Sequence, residues 1–196
     1  NVMKGPNKSK SSSSSKSKEK EDKKRIEEDI DAYHKWEQQI KACTNALDEL
    51  EERQSHLKGK QLIKNLDAQT AALTRQMEAQ KNLNGQYKAQ LEYEKQRLQS
   101  YGVGASFDAD GNIANYNQMM QNAQDQYNKA IEAYNKNKTD ANEAAVETAK
   151  SVYDDIKKTV SNYEAALDGV QKAQQAMNKL MQKQADVSLA KLEAKW

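Results

Sequence analysis

Apolar and small residues recur every three or four positions along most of the chain, in four separate runs. The longest steps through Val146, Ala149, Tyr153, Ile156, Val160, Tyr163, Leu167, Val170, Gln174, Met177, Met181 and Gln184. A period of about 3.5 held over that distance predicts a helix with one narrow stripe buried against another helix. Ile26, Tyr33, Trp36, Ile40, Cys43, Leu47, Leu50, Gln54 and Leu57 form a second run. Leu66, Thr70, Leu73, Met77, Gln80, Asn84, Tyr87, Leu91, Glu94 and Leu98 form a third, and Tyr116, Met120, Ala123, Tyr127, Ala130 and Tyr134 the shortest.

The fold expected is all-α, an elongated coiled coil of long helices. Its helix-packing seam rests on Trp36, Ile40, Leu47, Leu50, Leu73, Met77, Leu91, Leu98, Val146, Tyr153, Ile156, Val160, Tyr163, Leu167, Val170 and Met177. Gln54, Gln80, Asn84, Gln174 and Gln184 stand where a tight two-stranded zipper would carry Leu, Ile or Val. The seams are therefore expected to be thin, wet and adaptable.

Breaks in the pattern divide the chain. Residues 1–21 read as a flexible Lys/Ser-rich linker around the run Ser11 to Ser15, too polar to bury anything. Residues 22–101 hold two coiled-coil helices with a bend or a hairpin near Gly59. A hairpin packs them antiparallel; a kink leaves one rod of roughly 75 residues, about 110 Å long. Residues 102–114 contain three glycines and an Asp-Gly pair beside Val103, Phe107 and Ile113, which predicts a short β-hairpin or tight loop. Residues 115–196 hold two helices, with Asn115 as the expected N-cap of the first and Asp140 with Glu143 as a capping box for the second, over about 141–194. Gly169 lies beside that last seam, as a weak point or a close backbone approach within a continuous helix.

Composition supports an extended helical object. A chain with 36% hydrophobic and 31% charged residues has too little apolar surface for a compact core of ordinary depth. Nine of its twelve aromatic residues are tyrosine, which suits half-buried seams, and its one proline, Pro6, leaves the helices unbroken. The 31 basic and 29 acidic side chains are interleaved, so most of the surface carries no field for nucleic acid. The exception is the N-terminal arm with Lys8, Lys10, Lys16, Lys18, Lys20, Lys23 and Lys24, read as a solubilising tether rather than a phosphate-binding arm. No stretch has the ~20 apolar residues of a membrane span. The chain opens on Asn1, which suggests a piece of something longer.

Candidate chemistry is sparse. Cys43 lies on a seam and reads as a small buried residue. His34 and His56 stand in separate helical turns, and no H-E-x-x-H, G-x-S-x-G, P-loop or C-x-x-C pattern occurs, so no enzyme, catalytic residue or cofactor is expected. Ser106, Asp108, Asp110, Gly111 and Ile113 match positions of a calcium loop, but Asn117 stands where a bidentate Glu is required. An Asp-Gly turn is expected there, and no metal.

The stretch from Trp36 to Gln54, with His56-Leu57-Lys58-Gly59-Lys60, Leu62-Ile63 and Asn65-Leu66, resembles segments of tail tape measure proteins of tailed bacteriophages. Tyr101 to Val103 and Phe107 to Tyr116 do so as well, and the Lys/Ser-rich run is similar to the linkers of those proteins. The resemblance covers about residues 8 to 165 and implies one internal segment of a far longer chain. It implies a structural virion component that sets tail length, occupies the tail-tube lumen and leaves ahead of the DNA, after synthesis in the host cytoplasm. Self-association is expected through the coiled-coil seams, the fourth helix above all; the resemblance implies that the homo-oligomer is a trimer with the tail tube protein as partner, and no small-molecule substrate, membrane or nucleic acid is expected for this segment. The periodicity alone fits equally a non-viral coiled-coil scaffold or adaptor that self-associates or binds partner helices.

Overall fold

A computed structural model describes residues 33–195, and the expected linker, Ile26 and Trp196 lie outside the described residues. The fold is all-α. Helix α1 spans 33–54, α2 Gly59–Ser100, α3 Tyr116–Lys136 and α4 Asp140–Lys195. The described residues form two compact units: residues 33–86 with 176–195, and residues 87–175.

In the first unit α1 turns back along α2. Asn65 Nδ2 donates to the Leu50 carbonyl (3.0 Å) and Gln69 Nε2 to Gln54 Oε1 (2.9 Å) near the reversal, and farther from it Gln76 Nε2 donates to Thr44 Oγ1 (3.0 Å) and the Tyr33 hydroxyl to the Gln86 carbonyl (3.2 Å), so along the pair numbers fall on α1 as they rise on α2. The reversal at Gly59 is thus a hairpin. His56 N–H bonds the Arg53 carbonyl and Leu57 N–H that of Gln54, closing α1 with tight turns, and Gly59 takes φ +60°, a left-handed backbone that favours glycine. The end of α4 runs antiparallel to α2, with Lys191 paired to Asp67. Leu47, Leu66, Leu73, Leu180 and Val187 form the apolar core of this three-helix arrangement, flanked by Leu62, Met77, Ala190 and Ala194.

The second unit is organised around the loop at 101–115. Val103 is buried there with Leu98, Met119, Ala123, Ile156 and Val160, and Tyr101, Phe107, Ile113 and Tyr153 pack around them. No strand forms among the described residues; the pairing is a single antiparallel bridge, Phe107 with Ile113. Asp108 Oδ1 accepts the N–H groups of both Asp110 and Asn112 (2.9 Å each), which reverses the chain too quickly for a ladder to extend.

Three local expectations are corrected. Asn115 occupies the N-cap position of α3 without capping it: its Oδ1 takes the Ser106 N–H (2.9 Å) and its Nδ2 donates to the Gly104 carbonyl (2.7 Å), so the side chain ties the loop together instead. The cap of α4 is Thr139, whose Oγ1 accepts from Asn142 N–H (3.1 Å), one residue before the expected Asp140. Asn142 Nδ2 also reaches the Ala133 and Asn137 carbonyls, closing the end of α3. In α3 Met119 is buried together with the expected Ala123, while Tyr116 is exposed, because Met119 packs with Leu98 and Val103.

In α4 one line of the expected seam continues half-buried through Val170, Met177 and Gln184, while the other holds its register only as far as Leu167. Beyond it, Ala173, Leu180 and Val187 are buried, while Gln174 is exposed and Met181 is 55% exposed. Ala166, Ala173, Leu180 and Val187 recur at steps of seven, a heptad line in which small alanines permit close helix approach. The residues expected on the seam are otherwise covered. Leu47, Leu73, Leu98, Ile156, Val160, Tyr163 and Leu167 are buried, and Trp36, Ile40, Leu50, Met77, Leu91, Val146, Tyr153, Val170 and Met177 half-buried.

Gly169 is a close approach. A Cβ there would sit 2.7 Å from Tyr87 Cδ1 and 3.1 Å from Cγ, the rigid base of the ring, so α2 and α4 meet through the missing side chain. Helix propensity favours Gly169→Ala by up to ~1 kcal/mol, but overpacking costs about 1–3 kcal/mol and prevails. The expected result is a net loss of stability in urea titration, reversed when Gly169→Ala is combined with Tyr87→Leu.

Candidate functional site

α2 carries two buried stripes. One is the expected seam through Leu66, Leu73, Gln80 and Asn84; the other passes through Asn65, Gln69, Ala72, Gln76, Ala79 and Leu83. Together they bury five amide side chains, Asn65, Gln69, Gln76, Gln80 and Asn84, in one helix. Asn65, Gln69 and Gln76 stand one position off the expected seam, whose register is set by Leu66, Leu73 and Met77. The available signal is their own spacing, which continues through Ala72 and Ala79 at helical period.

Near the hairpin the ladder is satisfied. Gln69, 1% exposed, donates Nε2 to Gln54 on α1 and to Asn65 Oδ1 (2.7 Å), and Asn65 passes the contact on to the Leu50 carbonyl. Farther along it is not. Gln76 Nε2 reaches Thr44, whose hydroxyl donates to the Ile40 carbonyl, but Gln76 Oε1 and Asn84 Oδ1 are buried with no hydrogen-bond partner. Each such orphan costs about 1–3 kcal/mol. Gln54, expected as a polar seam member, is half-buried and takes part, whereas Gln174 is exposed and Gln184 half-buried on α4.

Beside the ladder, Trp36, Gln39, Cys43, Arg75, Glu78 and Ala79 line a groove between α1 and α2. The Cys43 thiol is free and half-buried there. A second cleft lies where Glu51, Gln54, Gln69, Lys183, Asp186 and Val187 meet, with Lys183 4.0 Å from Glu51. Both are shallow and mixed in character, unlike an enclosed ligand pocket with convergent polar groups.

In the other unit the loop is pinned from three sides. The Tyr163 hydroxyl donates to the Gly111 carbonyl, and its ring meets Phe107 at 5.2 Å between centroids. Asn122 Nδ2 donates to the Val103 carbonyl (3.0 Å), and Lys95 Nζ lies 5.0 Å over the Phe107 ring. Gly111 has φ +87°, and a Cβ would press on Leu167 Cδ1 at 3.2 Å. Asp108, the central acid of the calcium-like frame, has one oxygen committed to the turn, and no group of three or more His, Cys, Asp or Glu capable of holding a metal occurs among the described residues. Below the loop, Arg97 Nε donates to the Tyr101 hydroxyl (3.0 Å), which meets Thr159 Oγ1 (3.4 Å), and Thr159 donates to the Asp155 carbonyl (2.7 Å). Burial works against the Arg97 charge, yet the Tyr101 contact holds the guanidinium above its ordinary range. Among the described residues no helix is long and apolar enough to cross a membrane.

Gln76→Leu is expected to stabilise the chain by ~1 kcal/mol, because it removes a buried orphan while Thr44 keeps its bond to Ile40. Gln69→Leu is expected to destabilise by about 1–3 kcal/mol, because Gln54 and Asn65 both lose their donor. Urea midpoints followed by circular dichroism separate the two. Burial, then the nearby Asp108 and Glu92 charges, raises the Tyr163 phenol above its ordinary value of 10.0. The native state therefore keeps a proton that the unfolded chain releases, a contribution whole below pH 10 and lost as pH rises through the folded value. Tyr163→Phe should make stability fall less steeply above pH 10, at a cost of about 1–2 kcal/mol at pH 7.

The chain matches no protein-family model, no curated protein and no solved structure.

Proposed function

We propose that this chain is a structural, non-catalytic segment of a phage tail tape measure protein, working in the virion's tail tube as a helical spacer. The observation that carries the reading is the amide ladder on α2, where Asn65, Gln69, Gln76, Gln80 and Asn84 occupy positions that a permanent bundle would fill with Leu or Ile. Buried amides lower the stability of helix packing while specifying its partner. That suits a chain that packs in a lumen, as an elongated coiled coil, and must come apart when the tail empties. The resemblance through Trp36 to Leu66 and Phe107 to Tyr116 points the same way. The burial of Ile156, Val160, Tyr163 and Leu167 within a single chain favours a second reading, a discrete coiled-coil scaffold or adaptor outside a virion.

The test is in-frame duplication of residues 33–195 in the phage genome. As a tape, roughly 160 added residues lengthen the tail by ~240 Å at ~1.5 Å per residue. Tails of unchanged length in electron micrographs overturn the tape reading.

A further inference from the structure

The α1 helix is lightly held. Leu47 is its only buried residue among those described; Trp36, Ile40, Cys43 and Leu50 are half-buried. Three of its polar contacts go to amides of α2, one of which, Gln76, keeps an unbonded buried oxygen; the others are Tyr33 to the Gln86 carbonyl and Glu51 to Lys183 at 4.0 Å. The linker to α2, residues 55–58, is Ser-His-Leu-Lys, with neither proline nor glycine, and each of these residues fits a helix. Two turn-type hydrogen bonds and the left-handed Gly59 hold the reversal. A Cβ on Gly59 would meet nothing within 4 Å, so only its backbone conformation resists substitution.

We propose that α1 exchanges between two copies of this chain. The reversal straightens, α1 and α2 become one helix through residues 33–86, and each α1 lies on the α2 of the other copy. The pairs Tyr33 with Gln86, Thr44 with Gln76 and Leu50 with Asn65 run antiparallel about the linker, with Gln54 and Gln69 beside the last of them, so a two-fold axis through the linker recreates every one of them between chains. The same register sets Leu57 opposite the partner's Leu62, a contact that only the exchanged form makes. The straightened linker also gains helical hydrogen bonds that the hairpin forgoes, and short reversals of this kind invite exchange. Arg53, Lys58, Lys60 and Lys64 of both copies gather near the axis, so salt favours the exchanged dimer. The inference rests on the packing of the first unit and is independent of the tail-tube reading.

The test uses the full chain. Gly59→Ala relieves no contact, is strained in the hairpin and favours the continuous helix in both copies, so the dimerisation constant should rise on the order of a thousandfold in sedimentation equilibrium. Inserting glycines after Lys58 should abolish the dimer. Cys43 and Ala79 line one groove between α1 and α2, so Ala79→Cys with the native thiol and a short bis-maleimide reads the connectivity. Exchange gives a covalent dimer on a denaturing gel, dependent on both cysteines and rising with salt. A Gly59→Ala chain that stays monomeric at high micromolar concentration overturns the proposal, as does a dimer whose cross-links stay within one chain. If Gly59→Ala fails to fold, the Ala79→Cys chain alone, warmed at high concentration and cooled, decides by the same gel.

Discussion

The α2 helix is covered on two sides in the first unit, and the chain has too few large apolar side chains to line both. That shortage governs the packing there. Leu66 and Leu73 meet Leu47, Leu180 and Val187, and apart from Leu83 the remaining buried positions of α2 in this unit are filled by amides and alanines. A buried amide is tolerable only when its donor and acceptor are both met, and the ladder meets this condition near the hairpin but not beyond Gln76. Stability in this unit is consequently uneven, highest around Leu47, Leu66 and Gln69 and lower toward Asn84.

The loop of the second unit faces the opposite problem. An irregular segment must satisfy its own backbone groups, and this one does so through three backbone bonds of its own turn, Asp108 N–H to the Asn112 carbonyl, Gly111 N–H to that of Asp108 and Ala114 N–H to that of Ser106, and otherwise through side chains. Asp108 takes two N–H groups, Asn115 one N–H and one carbonyl, and Asn122 and Tyr163 one carbonyl each. Val103 then descends into the core as a plug. With so many polar ties, the glycines at 104 and 111 serve mainly to let the backbone take left-handed turns between them.

Helical period made much of this readable in advance. The long elements followed from 3.5-residue spacing because burial of one stripe is what holds such helices, whatever the residues between. What escaped was set by tertiary context. The heptad line through Ala166 and Ala173 is hidden by the neighbouring register through Leu167, Val170 and Met177, which fits the same spacing, while alanine contributes little area but allows close approach. The burial of Gln69 and Gln76 depends on acceptors contributed by α1, Gln54 and Thr44, over 15 or more positions of sequence, and local spacing does not display it. Asn115 occupied the N-cap position but was claimed by Ser106 and Gly104, a competition that local sequence does not display.

Gly169 and Gly59 show how one residue type sets two kinds of limit. At Gly169 the constraint is space: the Tyr87 ring fills the volume of the absent side chain, so the glycine fixes where α4 meets α2 and cannot be improved by a better helix former. At Gly59 there is open space and the constraint is a positive φ, which belongs to the hairpin alone. A conformational limit of this sort disappears when the chain straightens, whereas a packing limit does not. The α1–α2 junction is therefore the place where this sequence specifies a choice between two arrangements of the same contacts, and the Gly169–Tyr87 contact is where it specifies one.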